Sequence, residues 1–503
     1  MEGIYKVIII GGGPLGLTAS VALSKANIPH ALFERKPSTT NLPKSIGLNI
    51  RTIEYMRFLD LSQGFHSLGP QGREIYTRDA WGGGKYADEY ASMSPERYTM
   101  LAQVRLEPVL HKRARELNPE GVFNGSLVGV EEVGGLVEVH VQFDDGTTRT
   151  VKAEYVLAAD GGRLVTDSLG IAMQGEKDIL NMVSRGGSIR TGVLYHLGPY
   201  PRVSETEEWL FFCALLPNDP TTIDEITMER RIHETLQIPE LPIHIKAINH
   251  WQVNAVVAER FRSPNGRIFL IGDAAHKMPP WGALGLNTEI QDVQNLVWKL
   301  AMAFESNCTG RRRDVYGQLL NSYEEERRPI AIRNAQNSVT NMRLHSLAMD
   351  KALGTQPDAP PEANQASLDS FFDLEDPNGD ALRGAVFEAQ KALDTEFHAP
   401  GLEVGWFYPS SDSRREEDKT YLDKQVSSTG QFDLFEYHPS AIPGHHVPHV
   451  WLNEERKPKS IRDLVMTKKF TLLADDERWL DVRTHVLSVH ILPRDSAGAR
   501  LFS

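Results

Sequence analysis

The chain has 503 residues, with 54 Lys and Arg against 67 Asp and Glu, and a formal net charge of −13. This length exceeds the roughly 250–300 residues that one hydrophobic core supports, so we expect at least two domains, and the apolar content of 41% excludes a globally disordered chain. The acidic balance argues against nucleic acid or an anionic membrane as a partner, and no apolar run of roughly 18 residues predicts a transmembrane helix. Two cysteines, Cys213 and Cys308, cannot form a disulfide framework, which favours a cytoplasmic protein.

The N-terminal residues predict one β-α-β unit. The run Tyr5–Ile10 is mostly apolar and β-branched, as expected of a strand buried on both faces of a parallel sheet. A glycine-rich turn leads into an Ala- and Leu-rich helix, and His30–Phe33 predicts a second short strand. The interrupted apolar stretch lacks a basic region, so we expect no secretion signal. A strand, a turn, a helix and a strand within about 30 residues are the unit that a dinucleotide-binding fold requires.

The other predicted elements follow in chain order. Residues 120–160 predict strands, and Asp144-Asp145-Gly146 between two alternating runs predicts a hairpin. Residues 186–257 predict an antiparallel sheet that covers a substrate cavity, with one polar helix near 227–236. Beyond it we predict a buried strand at 267–271, a helix through 289–305, a charged helix at 311–341, a Pro- and Ala-rich linker at 354–366 and a small C-terminal domain from about residue 400.

Gly11, Gly13 and Gly16 form a G-x-G-x-x-G pattern between the first strand and the first helix. Gly11 permits the tight turn, Gly13 lets a pyrophosphate approach the backbone, and Gly16 lets the helix pack closely on the strand. Phosphates bind at such a helix N-terminus because free N–H groups and the helix dipole favour negative charge. Glu34, 18 residues past Gly16, stands near the position where an acid takes a ribose hydroxyl, with Arg35 beside it. The alternative is a glycine-rich turn in which Glu34 is an ordinary strand-end charge.

A single glycine pattern predicts one bound dinucleotide, which is either NAD or FAD. Segment 266–301 favours FAD. It contains Gly272-Asp273 after a buried strand, then Pro279-Pro280 and Gly285-Leu286-Asn287. It resembles the second cofactor motif of the flavin-dependent aromatic hydroxylases, which are single-component FAD monooxygenases. The resemblance implies that Asp273 binds the ribityl chain and that the loop with Pro280 and the 285–287 residues runs beside the isoalloxazine. Catalysis would belong to the flavin itself, with Pro280 as a weak candidate for a catalytic contact.

Shorter motifs extend the resemblance over nearly the whole chain. Gln103 lies in a segment similar to the family's L-x-Q-x-x-L-E-x-x-L helix, whose Gln contacts the cofactor. Segments 49–54 and 323–329 match N-x-R-T-x-E and Y-x-x-E-R-x-P, and residues 443–452 resemble the start of the C-terminal thioredoxin-like domain of the phenol hydroxylase branch. Each motif residue taken alone also has a purely structural explanation. Trp281 could fill the core, His276 could be a buried histidine with its hydrogen bonds satisfied, and Asp273 could be a helix N-cap.

The resemblance implies an α/β fold in which a Rossmann-like FAD-binding domain of the glutathione reductase type is interleaved with an antiparallel-sheet substrate domain. A shortened thioredoxin-like domain, without C-x-x-C and therefore without a redox role, would follow. The predicted boundaries are 1–75, 100–180 and 258–350 for the FAD-binding domain, 76–99 and 181–257 for the substrate domain, 351–400 for a linker with a helix and 401–503 for the C-terminal domain.

Three positions depart from the family's usual pattern. Asp160 opens a D-G motif, associated with flavin and pyridine-nucleotide handling, whose following residues differ here. Lys44 replaces a usual Arg, which keeps the charge and loses bidentate geometry. Ile46 stands where phenol-hydroxylating relatives tend to carry an Asp or His that helps to deprotonate the substrate, so the base lies elsewhere or the substrate is already acidic. Lone candidates for a base on the predicted substrate sheet are Tyr195, His196 and Arg190.

By resemblance, the chain is an FAD- and NAD(P)H-dependent monooxygenase that hydroxylates a phenolic or polyketide-like ring through a flavin C4a-hydroperoxide. Trp209, Phe211 and Phe212 are candidates to line the pocket, with core packing as the favoured explanation. The alternatives are epoxidation, Baeyer–Villiger oxidation or oxidative cyclisation on the same fold, and a protein that holds FAD without turnover. The expected partners are an aromatic small molecule, O2, NADPH or NADH, and a second copy of the chain as a homodimer. No metal, nucleic acid or membrane partner is expected.

Overall fold

The structure, a computed structural model, describes residues 4–70, 86–119, 121–183, 193–200, 207–214, 223–236, 238–307, 313–356, 359–408, 424–427, 429–452, 459–465, 470–484 and 487–492. Its strands are β1 (Ile4–Ile10), β2 (His30–Glu34), β3 (Gly47–Leu48), β4 (Thr99–Met100), β5 (Val122–Asn124), β6 (Ser126–Val133), β7 (Leu136–Gln142), β8 (Thr148–Ala158), β9 (Met173–Val183), β10 (Val193–Gly198), β11 (Glu208–Ala214), β12 (His250–Ala258), β13 (Ile268–Leu270), β14 (His276–Lys277), β15 (Trp451–Leu452), β16 (Lys459–Ser460), β17 (Phe470–Ala474) and β18 (Leu487–Ile491). Its α-helices are α1 (Pro14–Lys25), α2 (Ile50–Phe58), α3 (Ser62–Leu68), α4 (Ala87–Met93), α5 (Gln103–Leu117), α6 (Val165–Ser168), α7 (Glu225–Leu236), α8 (Leu284–Asn307), α9 (Arg313–Ala352), α10 (Pro361–Phe372), α11 (Pro377–Phe397) and α12 (Ile461–Val465).

A seven-stranded sheet carries the glycine-rich turn. Its order is β5-β2-β1-β8-β7-β6, with β13 beside β8. β1 runs parallel to β2 and β8, and β13 runs parallel to β8. Val7, Ile8 and Ile9 of β1 are fully buried, which explains why this strand is continuously apolar there rather than alternating. The predicted β-α-β unit is therefore confirmed.

The same sheet ends in an antiparallel extension formed by β6, β7 and the first half of β8. Its β7–β8 turn is the predicted hairpin. Gly146 has a φ of +79°, and the Asp145 carboxylate accepts a hydrogen bond from the Thr147 N–H at 2.9 Å. The Asp-Gly pair suits this turn because glycine adopts positive φ without steric cost and Asp bonds the backbone ahead of it.

A five-stranded antiparallel sheet follows the order β10-β11-β9-β12-β14. In sequence, β9 to β12 come between β8 and β13 of the first sheet. Side chains alternate along β11, so that Leu210 and Phe212 join a cluster with Ile46, whereas Phe211 packs beside Met228 of α7. The predicted antiparallel sheet is confirmed for the part of residues 186–257 that the structure describes.

Two helices, α10 and α11, occupy most of residues 351–400, which the sequence predicted as a linker with a helix. α10 buries no residue, whereas α11 packs against α9. A π-helix at Gly401–Gly405 follows, and further along β15 pairs antiparallel with β16 and β17 pairs parallel with β18. In the part of the chain that the structure describes, no helix is both long and apolar enough to cross a membrane.

Buried charges connect the C-terminal residues to α2. Arg462 and Glu54 form an ion pair whose side chains are 1% and 2% exposed, and the Ser94 hydroxyl donates to the Glu54 carboxylate at 2.5 Å. The Arg51 guanidinium lies 3.3 Å from the centroid of the Trp406 ring, and burial lowers the pKa of Arg51 to about 9. Because a buried charge is costly without its partner, α2 and the C-terminal residues must adopt their packed positions together.

Replacing one member of the buried pair tests this dependence. Arg462→Leu is expected to lower the free energy of unfolding by about 3–5 kcal/mol, because it leaves the Glu54 carboxylate buried without its ion-pair partner. The double variant Glu54→Leu, Arg462→Leu is expected to lose less, since no uncompensated charge remains. Urea denaturation followed by tryptophan fluorescence measures both changes. Equal losses in the single and double variants would contradict an energetic role for the pair.

Candidate functional site

The first and last glycines of the turn have no room for a side chain. Gly11 has a φ of +106°, and a Cβ there would overlap the carbonyl oxygen of Ala159. The Gly11 N–H donates to the carbonyl oxygen of Phe33 at 2.8 Å, which places the turn at the carboxyl ends of β1, β2 and β8. A Cβ on Gly16 would overlap the Gly11 carbonyl oxygen. α1 therefore packs directly on the turn, as the close spacing of the glycines predicts.

The middle glycine faces open space at the N-terminus of α1. A Cβ on Gly13 would find no heavy atom within 4 Å. Gly13 is also the N-cap residue of α1, no side chain caps this helix end, and the first turn contains no acid. The first-turn N–H groups and the helix dipole therefore face a space that a phosphate can fill.

Glu34 is bonded to the glycine turn from the end of β2. Its Oε2 accepts from the Gly12 N–H at 2.6 Å, and its Oε1 accepts from the Lys36 N–H at 2.8 Å. Each carboxylate oxygen keeps a further lone pair, so Glu34 can still accept a ribose hydroxyl. The neighbouring Arg35 is exposed.

Asp160 stabilises its own loop after β8. Its Oδ1 accepts from the Gly162 N–H at 3.0 Å, and its Oδ2 accepts from the N–H groups of Leu164 and Val165 at 2.8 and 3.0 Å. The loop lies against the turn after β13, because a Cβ on Gly162 would come within 3.1 Å of the Asp273 carbonyl oxygen. Asp160 thus shapes the wall of a cleft through its backbone bonds.

Gly272 and Asp273 open the 3₁₀ turn that follows β13. The Asp273 side chain is exposed, yet desolvation by the surrounding protein raises the pKa of its carboxyl group, against the opposing effects of Lys277, His276 and Lys44. The carboxyl group is therefore accessible to a ligand, although neighbouring protein atoms remove part of its hydration. Lys44 is itself exposed, so both charges are open to a ligand in this cleft.

A buried ionic network fixes the same turn. The carboxylate of Asp292, which is fully buried on α8, bonds the Gly272 N–H at 3.1 Å, His276 Nε2 at 2.8 Å and Arg327 Nε at 2.8 Å. Burial favours a raised pKa, but His276 and Arg327 lower the pKa of Asp292, so the group stays ionised. Arg327 also donates to the Thr288 carbonyl oxygen at 3.0 Å. The turn is therefore held between α8 and α9.

Asn287, in the first turn of α8, connects this helix to β3. Its Nδ2 donates to the carbonyl oxygens of Gly47 and Ala283 at 3.0 and 2.6 Å, and its Oδ1 accepts from the Asn49 N–H at 2.9 Å. These three bonds use both the nitrogen and the oxygen of the buried Asn287 amide, so they fix the β3 loop against the start of α8.

The residues before α8 form a tight turn. The Pro280 carbonyl oxygen accepts from the Ala283 N–H at 3.1 Å, and Ala283 adopts a positive φ of +53°. Gly285 and Leu286 follow in the first helical turn, whose N–H groups give this end of α8 a partial positive charge. Pro280 and residues 285–287 therefore lie at one helix terminus, as their spacing predicts.

Gln103 begins α5 and anchors the loop that carries Lys44. Its N–H donates to the Ser45 carbonyl oxygen at 2.8 Å, and its Nε2 donates to Glu107 Oε1 at 2.6 Å. The other oxygen of Glu107 accepts from the Thr40 N–H at 2.7 Å. The Gln103 N–H thus holds one end of the loop, and the Gln103 side chain bonds the carboxylate of Glu107 that holds the other end.

An apolar cluster joins the second sheet to the loop around Ile46. The rings of Tyr195 and Phe212 meet edge to face, with centroids 5.4 Å apart. The members of this Ile46 cluster are Ile46, Ala102, Val104, Tyr195, Leu197, Leu210 and Phe212. Three of the seven members are buried, and none of them carries a carboxylate or an imidazole, so the cluster is apolar and offers neither of these bases.

The other sequence candidates lie elsewhere. His196 packs with Trp209, with ring centroids 4.7 Å apart, on the face of β10 opposite Tyr195. Trp209 is 44% exposed, and Phe211 packs beside α7, so among the three aromatic candidates Phe212 is the one in the Ile46 cluster. Arg190 lies outside the described residues.

Sequence reasoning assigned no role to Glu289 or to the Asp292–Arg327 pair. The sole sequence signal was that both helices contain motif residues, because segments 266–301 and 323–329 each carry part of the resemblance. Their contacts span 35 residues and depend on how α8 and α9 cross, which no spacing rule supplies. His276 and Trp281, by contrast, are buried as expected of core residues.

Known proteins resemble this chain over most of its length. A family model described as an FAD binding domain matches residues 4–338. A Streptomyces olivaceus protein, tetracenomycin B2 monooxygenase-dioxygenase, is 28% identical over 532 residues, covering 97% of this chain and 87% of that protein. A Streptomyces halstedii protein assigned as a polyketide hydroxylase is 32% identical over 377 residues, covering 68% of this chain and 65% of its own length. The chain belongs to the FAD-dependent aromatic hydroxylase family.

A solved structure supports this membership. The flavin-dependent monooxygenase PieE, crystallised with FAD and substrate, has a TM-score of 0.83 and 28% identity to this chain, covering 98% of this chain and 90% of that chain. The predicted α/β fold with a parallel-containing sheet is thereby confirmed, and FAD is the dinucleotide cofactor of this protein. The S. halstedii relative is longer, and the match spans just under two thirds of it.

The open space at Gly13 yields a prediction about cofactor binding. Gly13→Ser is expected to leave the fold intact, because the backbone there is extended, with a φ of −71°, and serine caps helices well. It is expected to weaken FAD binding by roughly tenfold or more, because the hydroxyl group fills the space and takes a first-turn N–H. Flavin release on dilution of the holoenzyme and thermal unfolding of flavin-free protein measure the two effects.

Gly11→Ser is the matched control for this substitution. Its side chain would overlap Ala159, so it is expected to lower the thermal midpoint of the flavin-free protein as well. Unchanged FAD affinity in Gly13→Ser would contradict a phosphate site above this glycine.

Proposed function

We propose that FAD lies in the cleft bounded by the glycine turn, the Asp273 turn and the N-terminus of α8. The residues fit this group: Gly13 leaves space at an open helix end, Asp273 offers an accessible carboxyl, and α8 offers a second helix N-terminus. Asp160 and Gln103 would act through the loops that they hold. The proposed cofactor-contacting or cofactor-positioning residues are Gly11, Gly13, Gly16, Glu34, Arg35, Lys44, Gln103, Asp160, Asp273, Pro280, Gly285, Leu286 and Asn287.

We propose that this hydroxylase acts on a phenolic ring of a polyketide-like small molecule. The observation that carries this proposal is the Ile46 cluster, an apolar wall between the second sheet and the β3 loop that Asn287 fixes to α8. The names of the Streptomyces relatives, a polyketide hydroxylase and a tetracenomycin monooxygenase-dioxygenase, support a polycyclic substrate. The polypeptide would orient the ring against this wall and exclude water from it.

Bound FAD, reduced by NADH or NADPH, would supply the oxygen-transfer chemistry from O2. The positive end of α8 would stabilise negative charge on the cofactor. Asn287 would keep that helix end aligned with the β3 loop. Since Ile46 stands where relatives carry a base and its cluster contains no carboxylate or imidazole, the ring would be activated by its own acidity.

We propose the division into domains that the resemblance implies. The seven strands of the first sheet all fall within 1–75, 100–180 and 258–350, β10 and β11 fall within 181–257, and β12 does so except for its last residue, Ala258. β9 crosses the boundary at residue 180, and β14 joins the second sheet from the FAD-binding range. The region 401–503 would be the shortened thioredoxin-like domain, and the homodimer and cytoplasmic location stay predictions.

One observation favours a second candidate activity. The absence of a base in the described Ile46 cluster also suits epoxidation, Baeyer–Villiger oxidation or oxidative cyclisation of a substrate that needs no deprotonation. A carbonyl or alkene substrate would then occupy the same apolar wall.

A pH series with phenols of different acidity separates these reactions. The kcat/KM for hydroxylation is expected to rise with pH as each phenol ionises, so the apparent pKa of the profile moves with the substrate. Oxygen uptake, NADH or NADPH oxidation and product analysis measure the rate and its coupling. One apparent pKa for every phenol would instead reveal a base in the protein.

Two further outcomes decide between the candidates. NAD(P)H oxidation that no phenol accelerates, together with oxygen insertion into a ketone or alkene, would favour the second activity. A purified protein that is colourless and binds no added FAD would contradict both of the proposed flavin-dependent activities.

A further inference from the structure

Three carboxyl groups lie at the carboxyl end of β13. Asp292 is bonded to His276 and Arg327, so its charge is compensated. Asp273 and Glu289 differ from it, because no residue that the structure describes donates a hydrogen bond to either carboxyl. At this end of β13 they are therefore the two acids whose charge a ligand in the cleft would meet.

Glu289 lies over the residue that precedes Asp273. Its Oε2 and Cγ atoms come within 3.1 and 3.2 Å of the position that a Cβ on Gly272 would take, and the Leu15 side chain touches the same position. Leu15 belongs to the first turn of α1, directly after Gly13 and Pro14. The Glu289 carboxyl thus lies where the α1 N-terminus, the Asp273 turn and the first turns of α8 meet.

The charges around this pair are unequal. Glu289 faces the acids Asp273 and Asp292 and the cation Lys44, and Asp273 also faces Lys277 and His276. Burial, then repulsion from Asp273 and Asp292, raises the pKa of Glu289 well above its usual value, and desolvation raises that of Asp273 less. Two neighbouring carboxyl groups to which no described residue donates a hydrogen bond repel each other when both are ionised, so the pair holds a proton more readily than a lone carboxyl group does.

We propose that Glu289 is a positioning residue for the cofactor: it keeps the proton of the Asp273–Glu289 pair, so that Asp273 is the one carboxylate that the cleft offers to the ribityl hydroxyls. This inference rests on the proposed placement of FAD. A neutral Glu289 leaves one negative charge, rather than two, beside the pyrophosphate, and Lys44 balances that charge.

The proposal predicts the direction of a pH effect. As the pH rises through the titration of the pair, the proton leaves, and a second negative charge forms beside an anionic ligand. FAD therefore binds the protonated pair preferentially, and its dissociation constant rises by up to about tenfold per pH unit for one linked proton. Below this range the dissociation constant is independent of the pair.

Holoenzyme diluted across a pH series tests the inference, with free flavin measured in the filtrate after ultrafiltration. Glu289→Gln holds a permanently neutral side chain, so it is expected to remove the pH dependence and to bind FAD more tightly than the wild type at high pH. Asp273→Asn is expected to weaken FAD binding at every pH, because it removes the acceptor itself.

Glu305→Gln is the matched control, since Glu305 is exposed on the same helix and outside the cleft. It changes the net charge equally and is expected to keep the wild-type slope. The inference is overturned if Glu289→Gln keeps that slope, or if Glu305→Gln removes it. A wild-type protein that retains no flavin at any pH would instead overturn the placement of FAD, so the two failures are distinguishable.

Discussion

The arrangement of the cleft depends on the hydrogen bonds and ion pairs that one buried carboxylate, that of Asp292, forms. It bonds the Gly272 N–H, the His276 ring and the Arg327 guanidinium at once. An ionised group in this position would cost several kcal/mol if one partner were absent, so α8, α9 and the turn after β13 have one favourable arrangement. Asp273 and the start of α8 are therefore preorganised by the protein alone.

The same network connects the two sheets. His276, one of the Asp292 partners, lies in β14, where it pairs with Val257 of β12 in the antiparallel sheet. β13, which precedes the turn, belongs to the parallel part of the first sheet. A shift of the second sheet would thus displace His276 from its hydrogen bond with Asp292. The apolar wall that would hold a substrate and the cleft that would hold FAD keep a fixed relation for this reason.

Local features of the site followed from the sequence because short-range geometry determines them. Gly11 and Gly16 have no room for a Cβ, and the Asp144–Gly146 turn needs positive φ, so the spacing of these residues was informative. Asp160 was harder to interpret, because its carboxylate bonds three nearby N–H groups instead of standing free for a ligand. A motif match cannot reveal that choice of partners.

Contacts between distant segments were beyond sequence reasoning. The closeness of Glu289 to Asp273 depends on the packing of α8 over Gly272, and neither charge pattern nor periodicity indicates it. Residues 351–400 were predicted as a linker with one helix and contain two, since proline at the first turn of α10 and α11 starts a helix as readily as it interrupts one.

The Glu54–Arg462 pair also has a consequence for how the chain is made. The two residues are 408 positions apart, so at roughly 5–20 residues per second a ribosome completes Arg462 about 20–80 s after Glu54. During that interval the Glu54 carboxylate lacks its buried ion-pair partner. The packing of α2 against the C-terminal residues therefore cannot be complete before Arg462 has emerged, so this contact forms late in synthesis or after it.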